Sequence, residues 1–128
     1  AALDEANPGP AAFVFSGLLA EAKGGKANLD QALQKYNEAK SDSPSASLST
    51  AIGRVELQRG NMVQAESSLQ DALNRDPEYA PAHYWLGVVS QKKGDARQAI
   101  AKWGEALKHD KNFVRASKAM FDIDRPAS

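Results

Sequence analysis

Between Tyr79 and Lys111 the apolar residues return at helical spacing: Leu86, Gly87 and Val89 stand among polar neighbours, then Ala99, Ile100, Trp103, Ala106 and Leu107 form a second stripe. Gly94-Asp95 lies between the two runs, so the stretch predicts a pair of amphipathic helices joined by a tight turn. Small residues at Gly87, Ala99 and Ala106 let the helices approach closely, and Trp103 is the large knob between them.

The same skeleton lies 34 residues earlier, with Ala65 under Ala99, Leu69 under Trp103, Ala72 under Ala106, Ile52-Gly53 under Leu86-Gly87 and Gly60-Asn61 under Gly94-Asp95. A further step of 33 brings Leu19, Ala20, Ala27-Asn28, Ala32, Tyr36 and Ala39 to those places, and Pro44 and Pro77 close the first two units. Helix, turn and helix at this period is the signature of a stacked repeat, because one pair cannot bury its apolar face alone.

Along the chain this predicts a lead-in over 1–10 and a first helix from about Ala11 to Ala22, broken by Gly24-Gly25. Asn28 is the expected cap of the second helix, whose stripe is Leu29, Leu33 and Tyr36 and whose end falls near Lys40. The Ser-rich stretch 41–50 reads as a turn and the start of the next helix, capped by Ser45 or Ser47. That helix carries Leu48, Ile52, Val55 and Glu56 and stops at Gly60; its partner runs from about Met62 to Asn74 and ends at Asp76-Pro77. Phe113, Ala116, Met120 and Ile123 give one more amphipathic helix before Pro126, with Arg115, Lys118, Asp122 and Asp124 on its polar face. The units are expected at about 13–45, 46–79 and 80–113, with a capping helix over about 113–124.

The pattern resembles the tetratricopeptide repeat (TPR) family: a small residue after Leu in the first helix, Gly-Asp at the turn, Ala, a bulky residue and Ala in the second, and Asp-Pro at the end. The resemblance covers about residues 13 to 112, and the first unit departs most, with Ala20 at the first-helix Gly, Lys23 where Tyr is frequent, and the added Gly24-Gly25. The last has Lys111 for the closing Pro and His83 where Trp is common. The resemblance implies an all-α, right-handed superhelix of three units plus a cap, and a protein-interaction module whose concave groove takes a peptide or helical segment of a partner. The family's groove positions fall on Val14, Gly17, Leu18 and Glu21; on Ser47, Thr50, Ala51, Arg54 and Gln58; and on Pro81, Tyr84, Trp85, Val88, Gln91 and Lys92. Arg115 and Lys118 of the terminal helix close one end.

Within that set Tyr84 and Trp85 are the candidate anchors, since binding energy concentrates in Trp, Tyr and Arg. Leu18, Thr50 and Val88 supply floor, and Arg54, Lys92, Arg115 or Lys118 pairs a partner carboxylate. Trp85 has a second reading as half core, packed on the neighbouring helix, and each cation has one as a solvated surface charge. The five-residue clamp of Lys, Asn, Asn, Lys and Arg, with which TPR co-chaperones hold chaperone tails, would fall on Gly17, Glu21, Ala51, Pro81 and Trp85; none matches. A different class of function is structural: self-assembly through the ends of the stack, at Phe13, Phe15 or Phe121.

Charge narrows the partners to protein or peptide. With 16 basic and 16 acidic residues there is no overall field to draw nucleic acid or anionic lipid. The apolar run Ala11–Ala20 is about half of what a bilayer requires, so no membrane insertion is expected. Asp4 and Glu5 before it do not suit a signal peptide, and the absence of an initiator Met reads as an excised or processed chain. No cysteine is present, which is compatible with cytoplasm or bacterial periplasm alike.

No catalytic chemistry, cofactor or metal is expected. AEAKGGKA, residues 20–27, has the Gly-Lys of a phosphate loop but lacks its first Gly, at Ala20, its Ser or Thr, at Ala27, and a preceding strand. His83 and His109, the two histidines, fall at one end of their helix pair, too few for zinc, and His109 suits a helix C-terminus. Carboxylates are spread at ordinary surface spacing beside lysines, as Glu38 is to Lys35.

Overall fold

A computed structural model describes residues 9–124 of the chain. Among them are seven helices and no strand: α1 (Gly9–Lys23), α2 (Lys26–Asp42), α3 (Ala46–Gln58), α4 (Met62–Arg75), α5 (Ala80–Lys92), α6 (Ala96–His109) and α7 (Val114–Asp124). The expected lead-in lies outside the described residues except for its last two, which begin α1, and Pro126 lies outside them as well.

Helices pair as α1 with α2, α3 with α4 and α5 with α6, and each pair packs on the next, ending with α7 on α6. Direct packing also joins α3 to α5, with no comparable packing between α4 and α6, so the first helices form the inner row. The second helices supply half of the buried apolar residues, including the three bulkiest of those fully buried. Ala32, Tyr36 and Ala39, Ala65, Leu69 and Ala72, and Ala99, Trp103 and Ala106 are all fully buried, as the two-step repeat predicts.

Local chemistry fixes the ends. Ser45 is the cap of α3, its Oγ accepting from the Leu48 amide at 3.1 Å, and Asp95 caps α6 by accepting from Gln98 N at 3.0 Å. Asn28 does not cap α2: the helix starts two residues before it, and its Nδ2 donates to the Gly24 carbonyl at 2.8 Å instead. Glu56, on the predicted stripe of α3, is buried but holds Arg59 Nη1 at 3.0 Å and Asn61 Nδ2 at 2.9 Å, which offsets its desolvation.

The first unit is out of the expected register. A Cβ on Gly53 would lie 2.8 Å from Leu69 Cγ, and one on Gly87 2.3 Å from Trp103 Nε1; in unit one the glycine pressed against the bulky residue is Gly17, 2.6 Å from Tyr36 Cε1. Gly17, not Ala20, therefore matches Gly53 and Gly87. The turns agree, since Gly24, Gly60 and Gly94 all adopt positive φ (71°, 86° and 86°) at the ends of their first helices. Ala32 then stands eight residues after Gly24, against five for Ala65 after Gly60, and the three extra residues lengthen the start of α2, which has 17 residues against 14 in α4 and in α6.

This register also exposes one end of the stack. Leu19 matches Val55 and Val89, which are 0% and 1% exposed beneath the preceding unit, yet Leu19 is 50% exposed. Phe15, a turn earlier on α1, is 63% exposed. Phe13 faces the other way, packed on the core beneath the Lys35 ammonium, 5.4 Å from its ring centre, and so does not belong to an end contact. At the far end Phe121 takes the place of Gly53 and Gly87, where a side chain this large excludes the close approach of another second helix.

Candidate functional site

Three adjoining recesses follow the inner row of helices. The first, of 320 Å³, is walled by Val14 and Leu18 of α1, Tyr36 of α2, Ser47, Leu48, Thr50, Ala51 and Arg54 of α3, Tyr79, Pro81 and Trp85 around the start of α5, and Phe113 and Arg115 before and within α7. The second, 490 Å³, continues past Leu18, Glu21, Ala22, Arg54, Gln58, Trp85 and Arg115. The third, 260 Å³, is bordered by Tyr84, Gln91, Arg115, Lys118, Ala119 and Asp122. A larger recess of 620 Å³ opens between α4 and α6 on the other side, but its wall is largely polar, without an aromatic ring, and a Lys93–Glu66 ion pair stands at it.

The aromatic floor is pre-packed. Trp103 Nε1 donates to the Tyr84 carbonyl at 3.0 Å, and the Tyr84 ring lies 5.1 Å from Trp85 and 5.5 Å from Phe113 between centroids, both edge-on. Trp85 is half-buried, borders two recesses and packs on the core between the second and third units. Thr50 is buried in the wall, and its Oγ1 has no hydrogen-bond partner among the described residues. Val88 packs between the second and third units and borders none of these recesses.

The cations differ sharply. Arg54 is engaged from within: its Nε donates to Glu21 Oε2 at 2.5 Å and its Nη2 to Oε1 at 2.7 Å, while Tyr36 Oη and Gln58 Nε2 donate to the same carboxylate at 2.8 and 2.7 Å. Burial alone would push Glu21 upward; hydrogen bonds from Arg54 and Tyr36 and the charge of Arg54 outweigh it and hold the carboxyl below its usual range. Burial, with Glu21 beside it, pushes the Tyr36 hydroxyl up to about 12. Lys118 pairs with Asp122 at 3.0 Å, and Lys92 is exposed away from the three recesses. Arg115 borders all three and has no ion pair among the described residues.

Of the positions taken from the sequence, Leu18, Thr50, Arg54, Trp85 and Arg115 converge, with Tyr84 and Lys118 in the adjoining recess. The corrected register exchanges Gly17, covered by Tyr36, for Phe15 and Ala22 among the first unit's inner positions. Tyr36, Tyr79 and Phe113 stand outside that set: Tyr36 reads as core, Phe113 as part of the terminal helix's apolar stripe, and Tyr79 lies in the loop before α5. The rings of His83 and His109 stack at 5.3 Å, away from this groove, and no group of three metal-ligating residues forms among the described residues.

No protein-family profile matches the chain. The Sgt2 TPR domain of Aspergillus fumigatus has the same architecture, with a TM-score of 0.78 at 16% identity over 93% of this chain and 86% of that one. The first TPR of Spaghetti (RPAP3), bound to the HSP90 peptide SRMEEVD, aligns with a TM-score of 0.76 at 16% identity over 89% of each.

This chain has the tetratricopeptide-repeat fold.

Two sequence relatives match over shorter spans. The type IV pilus assembly protein PilF of Pseudomonas aeruginosa is 34% identical over 86 residues, which is 67% of this TPR chain and 33% of that protein. The probable biofilm formation methyltransferase WspC of Pseudomonas putida is 42% identical over 48 residues, 38% of this chain and 11% of that protein. The TPR chain thus spans a third or less of either relative's length. No helix among its described residues is long and apolar enough to cross a membrane.

Proposed function

We propose that this TPR solenoid is a protein-interaction module that binds a segment of a partner protein along its inner row, by equilibrium capture and not turnover. The observation that carries the reading is the recess between Leu18, Tyr36, Trp85 and Phe113, where rings from the first and third helix pairs and from the loops before α5 and α7 surround 320 Å³ beside the Thr50 hydroxyl, which has no partner among the described residues. Such a space takes one bulky apolar side chain, and burying it supplies about 2 kcal/mol. The peptide bound to the RPAP3 domain, which shares the fold, supports a peptide as the ligand class. A co-chaperone type of clamp is not part of this proposal: the register correction moves its first two positions to Val14 and Leu18, and neither is Lys or Asn. A scaffold or assembly role follows if the partner is itself part of a larger complex.

The test is selection of peptides from a displayed library on the intact chain, followed by fluorescence anisotropy of the selected peptides. Trp85→Ala should weaken them at least tenfold while the chain still melts cooperatively. Undiminished binding to Trp85→Ala would sink the reading. A second reading, self-association through the ends of the stack, is favoured by the exposed Phe15 and Leu19 of α1 and the exposed Phe121 of α7.

A further inference from the structure

Two guanidinium groups face the groove, and they are in opposite states. Arg54 already holds a carboxylate with the geometry a ligand would use: Glu21 accepts from both Nε and Nη2, the bidentate arrangement that makes Arg the preferred reader of carboxylates. Glu21 is further fixed by Tyr36 and Gln58, so it is a seated group and not a passing surface partner. Arg115 has the reverse character. It stands where all three recesses meet, next to the rings of Tyr84 and Trp85, and its charge is answered by no described side chain. Near an apolar wall an uncompensated cation favours an anionic partner more than it would in open water.

We infer that Glu21 acts as an internal carboxylate that withdraws Arg54 from ligand recognition, leaving Arg115 to read the partner, which is therefore a segment with a bulky apolar anchor and an acidic residue on the α7 side. This rests on the groove reading above and narrows it in chemistry and direction. The groove's inner balance agrees. Glu21 offsets Arg54, Asp122 offsets Lys118, and the residual positive charge sits at Arg115.

The test uses the intact chain and two amidated, fluorescein-labelled peptides, Gly-Glu-Phe-Leu-Glu-Ala-Gly and the same peptide with both Glu replaced by Gln. Wild type is expected to prefer the acidic peptide by roughly fivefold at low salt, the range of a partly exposed ion pair, and to lose most of that preference at high salt. Arg115→Gln should erase the preference, so that the acidic peptide binds no more tightly than the Gln peptide. The charge-neutral double variant Glu21→Gln/Arg54→Gln should keep it, and Glu21→Gln alone should enlarge it by freeing Arg54. Thermal melts confirm that each variant folds. A preference that survives Arg115→Gln, one that disappears in the double variant, or no binding of either peptide would overturn the inference. Library-selected peptides that remain sensitive to Trp85→Ala would in each of those cases leave the groove reading standing.

Discussion

Replacing Gly87 by alanine sets two effects of opposite sign against each other. In an open helix interior the change is stabilising by about 1 kcal/mol, because alanine loses less conformational freedom on folding. Here the new Cβ would sit 2.3 Å from Trp103 Nε1, 2.5 Å from Cδ1 and 3.0 Å from Cε2. The indole is rigid and fully buried, and it is tied by its Nε1 to the Tyr84 carbonyl on the same helix as Gly87, so neither rotation nor retreat is free. Overpacking of this kind costs about 1–3 kcal/mol, and a displaced Nε1–H left without its acceptor adds about 1–3 kcal/mol. Subtracting the propensity gain leaves a net loss of about 1–5 kcal/mol. At about 4 °C per kcal/mol for a chain of this size, the melting temperature should fall by about 4–20 °C. The assay is thermal and urea denaturation followed by helical circular dichroism. Gly104→Ala is the internal control, since a Cβ there meets nothing within 4 Å, and it should raise stability by about 1 kcal/mol. Gly53→Ala should lose less than Gly87→Ala, because its nearest contact is a branched Leu69 side chain at 2.8 Å and not a ring. A Gly87→Ala chain as stable as wild type, or a Gly104→Ala chain as damaged as Gly87→Ala, would refute the close-packing argument.

Two further outcomes are expected. The Asp71 carboxyl is lowered to about 2 from 3.8, first by the hydrogen bond from Ser49 Oγ at 2.5 Å and then by Arg75, so its contribution is complete above about pH 4 and is lost as the pH falls towards 2; Asp71→Asn should flatten the decline of the urea midpoint across that window, and an unchanged slope would contradict the assignment. If the ends of the stack associate, sedimentation should show mass rising with concentration and Phe15→Ser/Leu19→Gln should suppress it, whereas a mass independent of concentration in wild type would remove the self-assembly reading.

The second helices could be read from the chain because Ala32, Tyr36 and Ala39 and their counterparts obey one rule twice over: small residues where two backbones meet, a bulky one between them. The length of the second helix obeys no such rule. In the first unit Leu19-Ala20 matches the large-then-small pattern of Ile52-Gly53 and Leu86-Gly87, whereas Ser16-Gly17 takes those places in space without a large first residue, so periodicity alone sets the frame three residues late. Gly24 was the available signal, since aligning it with Gly60 and Gly94 places Gly17 correctly. The Glu21–Arg54 pair was hidden for another reason. Both residues were placed in the groove, but partners 33 positions apart and on successive helices carry no local mark of belonging to each other.

The three added residues and the ion pair have one consequence for the groove as a whole. With Gly17 under Tyr36, the next turn of α1 presents Glu21 to Arg54 and to the Tyr36 hydroxyl at once, so the inner junction of the first two units is closed by charge. The junction of the second and third units is closed by apolar contact, with Val89 against Leu57, Ala65 and Leu69. Beyond it Trp85, Tyr84 and Phe113 meet beside Arg115, which has no ion pair among the described residues. A ligand entering at the α1 side would have to displace a carboxylate held by four hydrogen bonds, each to a charged group worth about 1.5–3 kcal/mol, whereas Arg115 at the α7 side has no such carboxylate among the described residues. Repeats of nearly the same backbone thus give a groove whose two ends differ in charge pairing, and the difference lies in the side chains of Glu21, Arg54 and Arg115.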